Sequence, residues 1–257
     1  MNVAAVNVTE LAARLAKATA DRTAITKLTD EFPELDLPTG YLVQRELRAA
    51  AGPIAGWKLG LTSRAKQAQV GVTDPIHGFL PAAAALDVGA PLDTAEHIQP
   101  RCEPEIVFIL GRDLAGPHVT AADVVTASSG VAVGIEVLDS RYLDYQFTTA
   151  DVVADNTSAS RFVVGTPVSP AGIDLRLVGV VLEHNGQVVA TASGAASLGH
   201  PAGAVAWLVR RLASEDEGLA AGQVVLSGGL TAAVPVGPGD VVTATIDRLG
   251  SLELACR

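Results

Sequence analysis

Glu103-Pro104-Glu105 places two carboxylates one residue apart, at the head of the apolar run Ile106 to Leu110. In an extended chain residues i and i+2 share a face. Both carboxylates then meet on one patch, while Ile106, Phe108 and Leu110 point the other way. Like charges held that close repel unless a cation or a proton intervenes. Glu136, in Gly134-Ile135-Glu136-Val137-Leu138, is a third carboxylate in a strongly apolar run. An ionised Glu buried there is expensive unless it is paired or bound to metal. Three hard oxygen donors suit Mg²⁺ or Mn²⁺ and leave positions open for water and substrate. The residue types alone also fit a plainer arrangement, with Glu-x-Glu as a solvated strand face and Glu136 paired with an arginine such as Arg141.

Lys58, in Gly56-Trp57-Lys58-Leu59-Gly60, is another lone charge in an apolar, glycine-bounded run. It reads as a cation that binds a substrate carboxylate or moves a proton, or as a surface lysine with a buried stem. Asp155-Asn156-Thr157-Ser158 follows Val152-Val153-Ala154. Such residues cap their own turns, and the same segment could place the Ser158 hydroxyl in a site. His77, His97, His118, His184 and His200 show no metal-ligand spacing.

The elements that must position these groups are legible in outline. The chain has 257 residues, 49% of them hydrophobic and 18% charged, enough for a substantial core. With only 4% aromatics, that core is built mainly from Ala, Val, Leu and Ile. The first ~55 residues have helical periodicity. Thr9 is a candidate N-cap for a helix with Leu11, Leu15 and Ala18 on one side. Pro38 fits the first turn of a second helix running through Leu42, Val43 and Leu47 to about Gly52. From Ile54 the pattern turns to short Val- and Ile-rich runs between turn residues, as at 105–110, 131–138, 162–165, 175–182, 188–192, 224–226 and 241–246. Asn185-Gly186 between two of these runs is a hairpin signal, and Pro238-Gly239-Asp240 marks another turn. Helices are expected after Thr120 and from Pro201. The expected fold is α+β, with a helical N-terminal subdomain over 1–55 and a β-rich catalytic domain over 56–257.

A formal net charge of −10 disfavours nucleic acid as a partner. The two cysteines, Cys102 and Cys256, form neither a disulfide framework nor a Cys-x-x-Cys site. No apolar run approaches the roughly 20 residues that span a bilayer, and the N-terminus lacks a signal-peptide pattern. A cytoplasmic protein without membrane contact is the expectation.

Taken together, several segments resemble the fumarylacetoacetate hydrolase superfamily, in particular its 2-oxopent-4-enoate hydratase and 4-oxalocrotonate decarboxylase branch. They are GWKLGLTSRAKQAQVGVTDPIHGFL (56–80), QPRCEPEIVFIL (99–110), GIEVLDSRY (134–142), VVADNTSASRFVVG (152–165), GHPAGAVAWL (199–208) and LSGGLTAAVPVGPGD (226–240), with ITKLTDEFPELDLPTGYLVQRELR (25–48) before them. The resemblance implies a mixed, strongly curved β-sheet roll with flanking helices and a helical N-terminal segment. It implies that Glu103, Glu105 and Glu136 bind Mg²⁺ or Mn²⁺, with no organic cofactor. It also implies that Lys58, Ser158 and Asp74 are catalytic, and that Leu61, Ile76, His77, Arg141 and Thr231 contact substrate. Thr157 stands where the family more often has alanine.

Hydratases of this branch carry an acidic residue directly after the proline of Gly-Val-x-x-Pro. Here Gly71-Val72-Thr73-Asp74-Pro75 is followed by Ile76, with a ring residue, His77, after it. The expected activity is therefore decarboxylation of 2-oxohex-3-enedioate in meta-cleavage catabolism of aromatic compounds. A 2-oxopent-4-enoate hydratase, a C–C hydrolase of the wider superfamily and a non-catalytic partner subunit are the alternatives. The C–C hydrolase would need a water-activating base, typically a His–Glu pair, and the N-terminal region offers no good candidate. Homo-oligomerisation, and a complex with the hydratase of the same pathway, are the implied assemblies.

Overall fold

A computed structural model describes residues 6–63, 67 and 73–257. Residues 64–66 and 68–72, which carry part of the 56–80 stretch including Gly71 and Val72, lie outside the described residues.

Helix α1 (Val8–Asp21) starts earlier than Thr9 would set it, because Asn7 precedes it and its Oδ1 accepts the Glu10 N–H at 3.2 Å. Helix α2 (Leu37–Ala50) has Asp36 as its cap and Pro38 in its first turn. Leu11, Leu15, Leu28, Leu35 and Val43 are buried together, but they do not close a core of their own. Their cluster is completed by Tyr142, Ala150 and Ala154. Ala150 and Ala154 lie on a short helix, α4 (Thr149–Ala154). The Asp151 carboxylate ties the two parts together. It accepts the Thr29 N–H at 2.9 Å and hydroxyl at 2.7 Å, and also caps α4 through Thr148.

The remaining chain forms two sheets. The larger runs β2 (Ile76–Pro81), β1 (Ile54–Gly60), β9 (Val224–Leu226), β4 (Arg101–Leu110), β5 (Ser128–Leu138), β6 (Ala159–Val164) and β3 (Ala85–Leu86), with β10 (Val234–Pro235) also beside β4. The smaller runs β12 (Gly250–Ala255), β11 (Val241–Ile246), β7 (Gly179–His184) and β8 (Gln187–Ser193). Ile106, Phe108, Val133 and Ile135 from the first sheet meet Leu182, Val242, Ala244 and Leu252 from the second, together with Val205 and Leu208 of α5 (Pro201–Ala213), in one apolar core. Helix α3 (Ala121–Ala127) starts with a Thr120–Asp123 capping box. Asn185 and Gly186 turn the β7–β8 hairpin with φ of 54° and 72°, the pair of positive values its tight turn needs. Leu175 to Val178, expected to be extended, precede β7 as turn and loop.

Candidate metal centre and cavity

Register brings the three glutamates together. Glu103 and Glu105 share one face of β4, and Glu103 lies directly opposite Glu136 of β5. Their carboxylate oxygens lie within 4.8 Å of one another, and all three residues are buried.

The chain on the other side of β4 gives way at this point. β9 pairs with β4 as far as Leu226 opposite Val107, and β10 rejoins it at Val234 opposite Cys102. Between them the ladder opens into a loop. Pro104 sits at this opening, so its missing N–H removes no strand-to-strand bond, while its carbonyl still accepts the Leu230 N–H at 3.0 Å. In the loop the Gly228 N–H donates to Glu105 Oε2 at 2.5 Å. Gly229 packs so tightly that a Cβ there would lie 2.1 Å from Glu103 Oε2.

Two of the three carboxylates keep unused acceptor atoms: Glu105 Oε1 and Glu136 Oε1 are buried without a hydrogen-bond partner among the described residues. Burial, then repulsion from Glu136 and Glu103, pushes Glu105 well above the ordinary carboxylate range. Burial raises Glu136 to about 7, against the pull of Lys58. Lys58 Nζ lies 3.2 Å from Glu136 Oε2. Burial alone would lower its pKa, but Glu136, Glu103 and Glu105 outweigh that and hold it above the usual lysine value. Among the described residues Lys58 offsets only part of the trio's charge. Three buried carboxylates, two of them with acceptor atoms unused among the described residues, fit a hard divalent cation.

A left-handed turn completes the floor. Asn156, Thr157 and Ser158 all have positive φ, at 48°, 53° and 57°. The Thr157 carbonyl accepts a bond from Lys58 Nζ at 3.2 Å, and the Ser158 hydroxyl is buried with no partner among the described residues. The turn fits against the sheet because Gly78, opposite Lys58 in the β1–β2 ladder, has no side chain. A Cβ there would lie 2.4 Å from Thr157 Oγ1. Asn156 bonds both the N–H and the C=O of Phe79, each at 2.9 Å, as a neighbouring strand would.

Above this floor opens a cavity of about 850 Å³. Lys58, Arg101, Glu103, Thr148, Thr157 and Ser158 are among its polar lining, and Leu61, Ile76, Leu138, Phe147 and Val152 among its apolar walls.

The family model described as fumarylacetoacetate (FAA) hydrolase C-terminal matches residues 54–256. The chain belongs to the fumarylacetoacetate hydrolase family. It is 42% identical over 248 residues to a 4-oxalocrotonate decarboxylase of Pseudomonas sp. (strain CF600), covering 95% of this chain and 94% of that protein. It is 40% identical over 252 residues to a 2-keto-4-pentenoate hydratase of Burkholderia vietnamiensis (strain G4 / LMG 22486), covering 96% of each. A solved structure of the 4-oxalocrotonate decarboxylase from Pseudomonas putida G7, complexed with magnesium and adipate, superposes with a TM-score of 0.93 at 42% identity over 97% of both chains.

Of the residues that the family resemblance pointed to, Glu103, Lys58, Ser158, Leu61 and Ile76 line the cavity, with Glu105 and Glu136 set deeper beside them. Others stand elsewhere. His77 follows Ile76 on β2, and consecutive strand residues face opposite ways. Its ring therefore stacks on Tyr41 at 4.7 Å behind the sheet, where burial, then Arg211 and Arg48, lower its pKa to about 3. Arg141 reaches neither substrate space nor Glu136. It pairs with the buried Asp155 and donates to the carbonyls of Asp139, Asp155 and Ala159. Burial raises Asp155 to about 6 even with Arg141 opposing. Asp74 is exposed and accepts the hydroxyl of its neighbour Thr73 at 3.1 Å. Thr231 precedes the lining residues Ala232 and Ala233, and its hydroxyl donates to the Ala232 carbonyl at 3.0 Å.

Arg101 and Tyr145 also line the cavity and were not among the expected site residues. Arg101 had a legible signal, since it alternates with Glu103 and Glu105 on the same strand face. Tyr145 had none, because its position depends on a turn with φ of 53° at Asp144 and 58° at Tyr145.

Proposed function

We propose that this protein is a divalent-metal-dependent decarboxylase of 2-oxohex-3-enedioate, releasing CO₂ and 2-hydroxypenta-2,4-dienoate. The observation that carries this is the buried Glu103–Glu105–Glu136 trio beside Lys58, at the floor of a cavity whose walls are mostly apolar. The decarboxylase from Pseudomonas putida G7, its close structural relative, was solved with magnesium and adipate, a six-carbon dicarboxylate.

The three glutamates would hold Mg²⁺ or Mn²⁺. Bound there, the ion would supply positive charge to stabilise the negative charge that develops on the substrate's 2-oxo end. In the reaction the C5–C6 bond breaks and its electron pair becomes the C4–C5 double bond. The former C3–C4 pair moves to C2–C3, and the carbonyl pair moves onto the 2-oxo oxygen. CO₂ departs, and a proton on that oxygen completes the product. The substrate is its own electron sink, so no organic cofactor is required. Lys58 presents a protonated Nζ at the floor, placed to orient a carboxylate or to return that proton. Ser158 offers a free hydroxyl to the same space. Ile76, Leu61, Val152 and Phe147 exclude water and provide no base to activate it.

A second reading, a 2-oxopent-4-enoate hydratase, draws support from the 40% identity to the Burkholderia enzyme. The deciding experiment measures CO₂ release from enzymatically generated 2-oxohex-3-enedioate, with Mg²⁺ and with EDTA. Rapid metal-dependent release is expected. No release, together with loss of the absorbance of supplied 2-hydroxypenta-2,4-dienoate, would establish the hydratase instead. The finer proposals are a role in meta-cleavage catabolism in the cytoplasm, a homo-oligomer, and association with the pathway hydratase.

A further inference from the structure

Arg101 is a cation facing the cavity. It lies two residues before Glu103 on the same face of β4, opposite Leu138 of β5. Among the described residues no carboxylate pairs with it. One face of its guanidinium is covered by Tyr145, with Cζ 4.0 Å from the ring centroid. Tyr145 is itself fixed, because its hydroxyl donates to the Gln99 carbonyl at 3.2 Å. Gln99 is held in turn, donating to the carbonyls of Ser140 and Tyr142 at 2.9 and 2.6 Å. The side chain is thus held flat by stacking, with its N–H edge left for a ligand. A planar fork of this kind binds a carboxylate through two parallel bonds.

Spacing gives the ligand's length. Two residues of strand advance the chain by about 7 Å. A six-carbon chain with bonds of about 1.5 Å spans about 6 Å between its end carbons. A linear acid with its C1 end at Glu103 would therefore lie along β4, its far end at Arg101 beside Leu138.

We propose that Arg101, stacked on Tyr145, is the subsite for the distal carboxylate of a linear 2-oxo dicarboxylic acid. This rests on the reading of the three glutamates as the seat of the 2-oxo end. Arg101 acts in binding and orientation. The carboxylate it holds loses its charge as CO₂ forms, so the contact weakens on the way to the transition state. Removing it should raise KM without lowering kcat.

The test compares two acids that differ only at the far end, 2-oxoadipate and 2-oxohexanoate, by calorimetry on the Mg²⁺-loaded protein. Arg101→Leu is expected to weaken 2-oxoadipate by about 10- to 100-fold, the range for a charge-assisted hydrogen-bonded contact. Binding of 2-oxohexanoate should stay unchanged, and Arg101→Lys should recover part of the loss. Equal weakening of both acids, or of neither, would overturn the subsite while leaving the metal centre standing. If both acids bind the wild-type protein equally well in EDTA, the metal-centre reading fails, and the orientation along β4 fails with it.

Discussion

Gly229→Ala tests the metal centre without touching the chemistry of any ligand. The added Cβ would stand 2.1 Å from Glu103 Oε2 and 2.3 Å from its Cδ. Ordinary contact begins near 3.4 Å, so the oxygen must retreat by about 1.3 Å. The clash is with the end of a side chain rather than with backbone, and Gly229 does not have positive φ, so the fold should accept alanine. Mg²⁺ is less forgiving. It requires near-octahedral bonds of about 2.0–2.1 Å, and workable sites keep ligand distances within about 0.2 Å. A displaced Glu103 is expected to weaken Mg²⁺ binding by about 10- to 100-fold, or roughly 1.4–2.7 kcal/mol. Ca²⁺, with longer and more flexible bonds, should lose less. Calorimetric titration of both ions into the variant, beside a thermal melt, makes the measurement. Wild-type Mg²⁺ affinity at an unchanged melting temperature would refute the claim that Gly229 holds Glu103 in place.

Glu105→Gln should abolish turnover with the fold intact, since the amide oxygen can still accept the Gly228 N–H but carries no charge. Its metal-free melting temperature should not fall, because a buried repulsion has been removed, and normal activity would sink the metal assignment. Carboxyls whose pKa is raised must lose protons to become ligands. Mg²⁺ affinity should therefore fall as pH drops through about 7, the value for Glu136, and binding should release protons. The apparent binding enthalpy should then vary with the ionisation enthalpy of the buffer, and an enthalpy that ignores the buffer would count against it. Ile76→Asp should shift the product ratio towards hydration at a stability loss of about 1–3 kcal/mol for the buried carboxylate. A variant that still releases only CO₂ would show that Ile76 does not separate the two reactions.

Local rules made half of the centre visible. Strand alternation alone put Glu103 and Glu105 on one face and Ile106, Phe108 and Leu110 on the other, as the buried core has them. The same rule, applied to Ile76 and His77, separates them onto opposite faces of β2, although the resemblance had grouped them in one pocket. What local rules do not reach is register. Nothing near Glu136 in sequence says that it will stand opposite Glu103, and nothing near Arg141 says that its partner is Asp155, fourteen residues on. A lone charge in an apolar run announces that it will be compensated, but the compensating group is chosen by the fold.

Backbone strain follows the same division. Left-handed residues other than glycine cost roughly 1–2 kcal/mol each, and Asn156, Thr157 and Ser158 are three in succession. Such a turn persists only where its surroundings over-determine it. Here they do. Arg141 grips Asp155 before the turn and the Ala159 carbonyl after it, and the Asp139 N–H holds the Ser158 carbonyl at 2.8 Å. Asn156 locks onto Phe79, and Gly78 leaves the space. The outcome of that strain is local. It aims one carbonyl at Lys58 and one free hydroxyl into the cavity beside the carboxylate trio. Arg141, expected at the substrate, instead holds in place the turn that faces it.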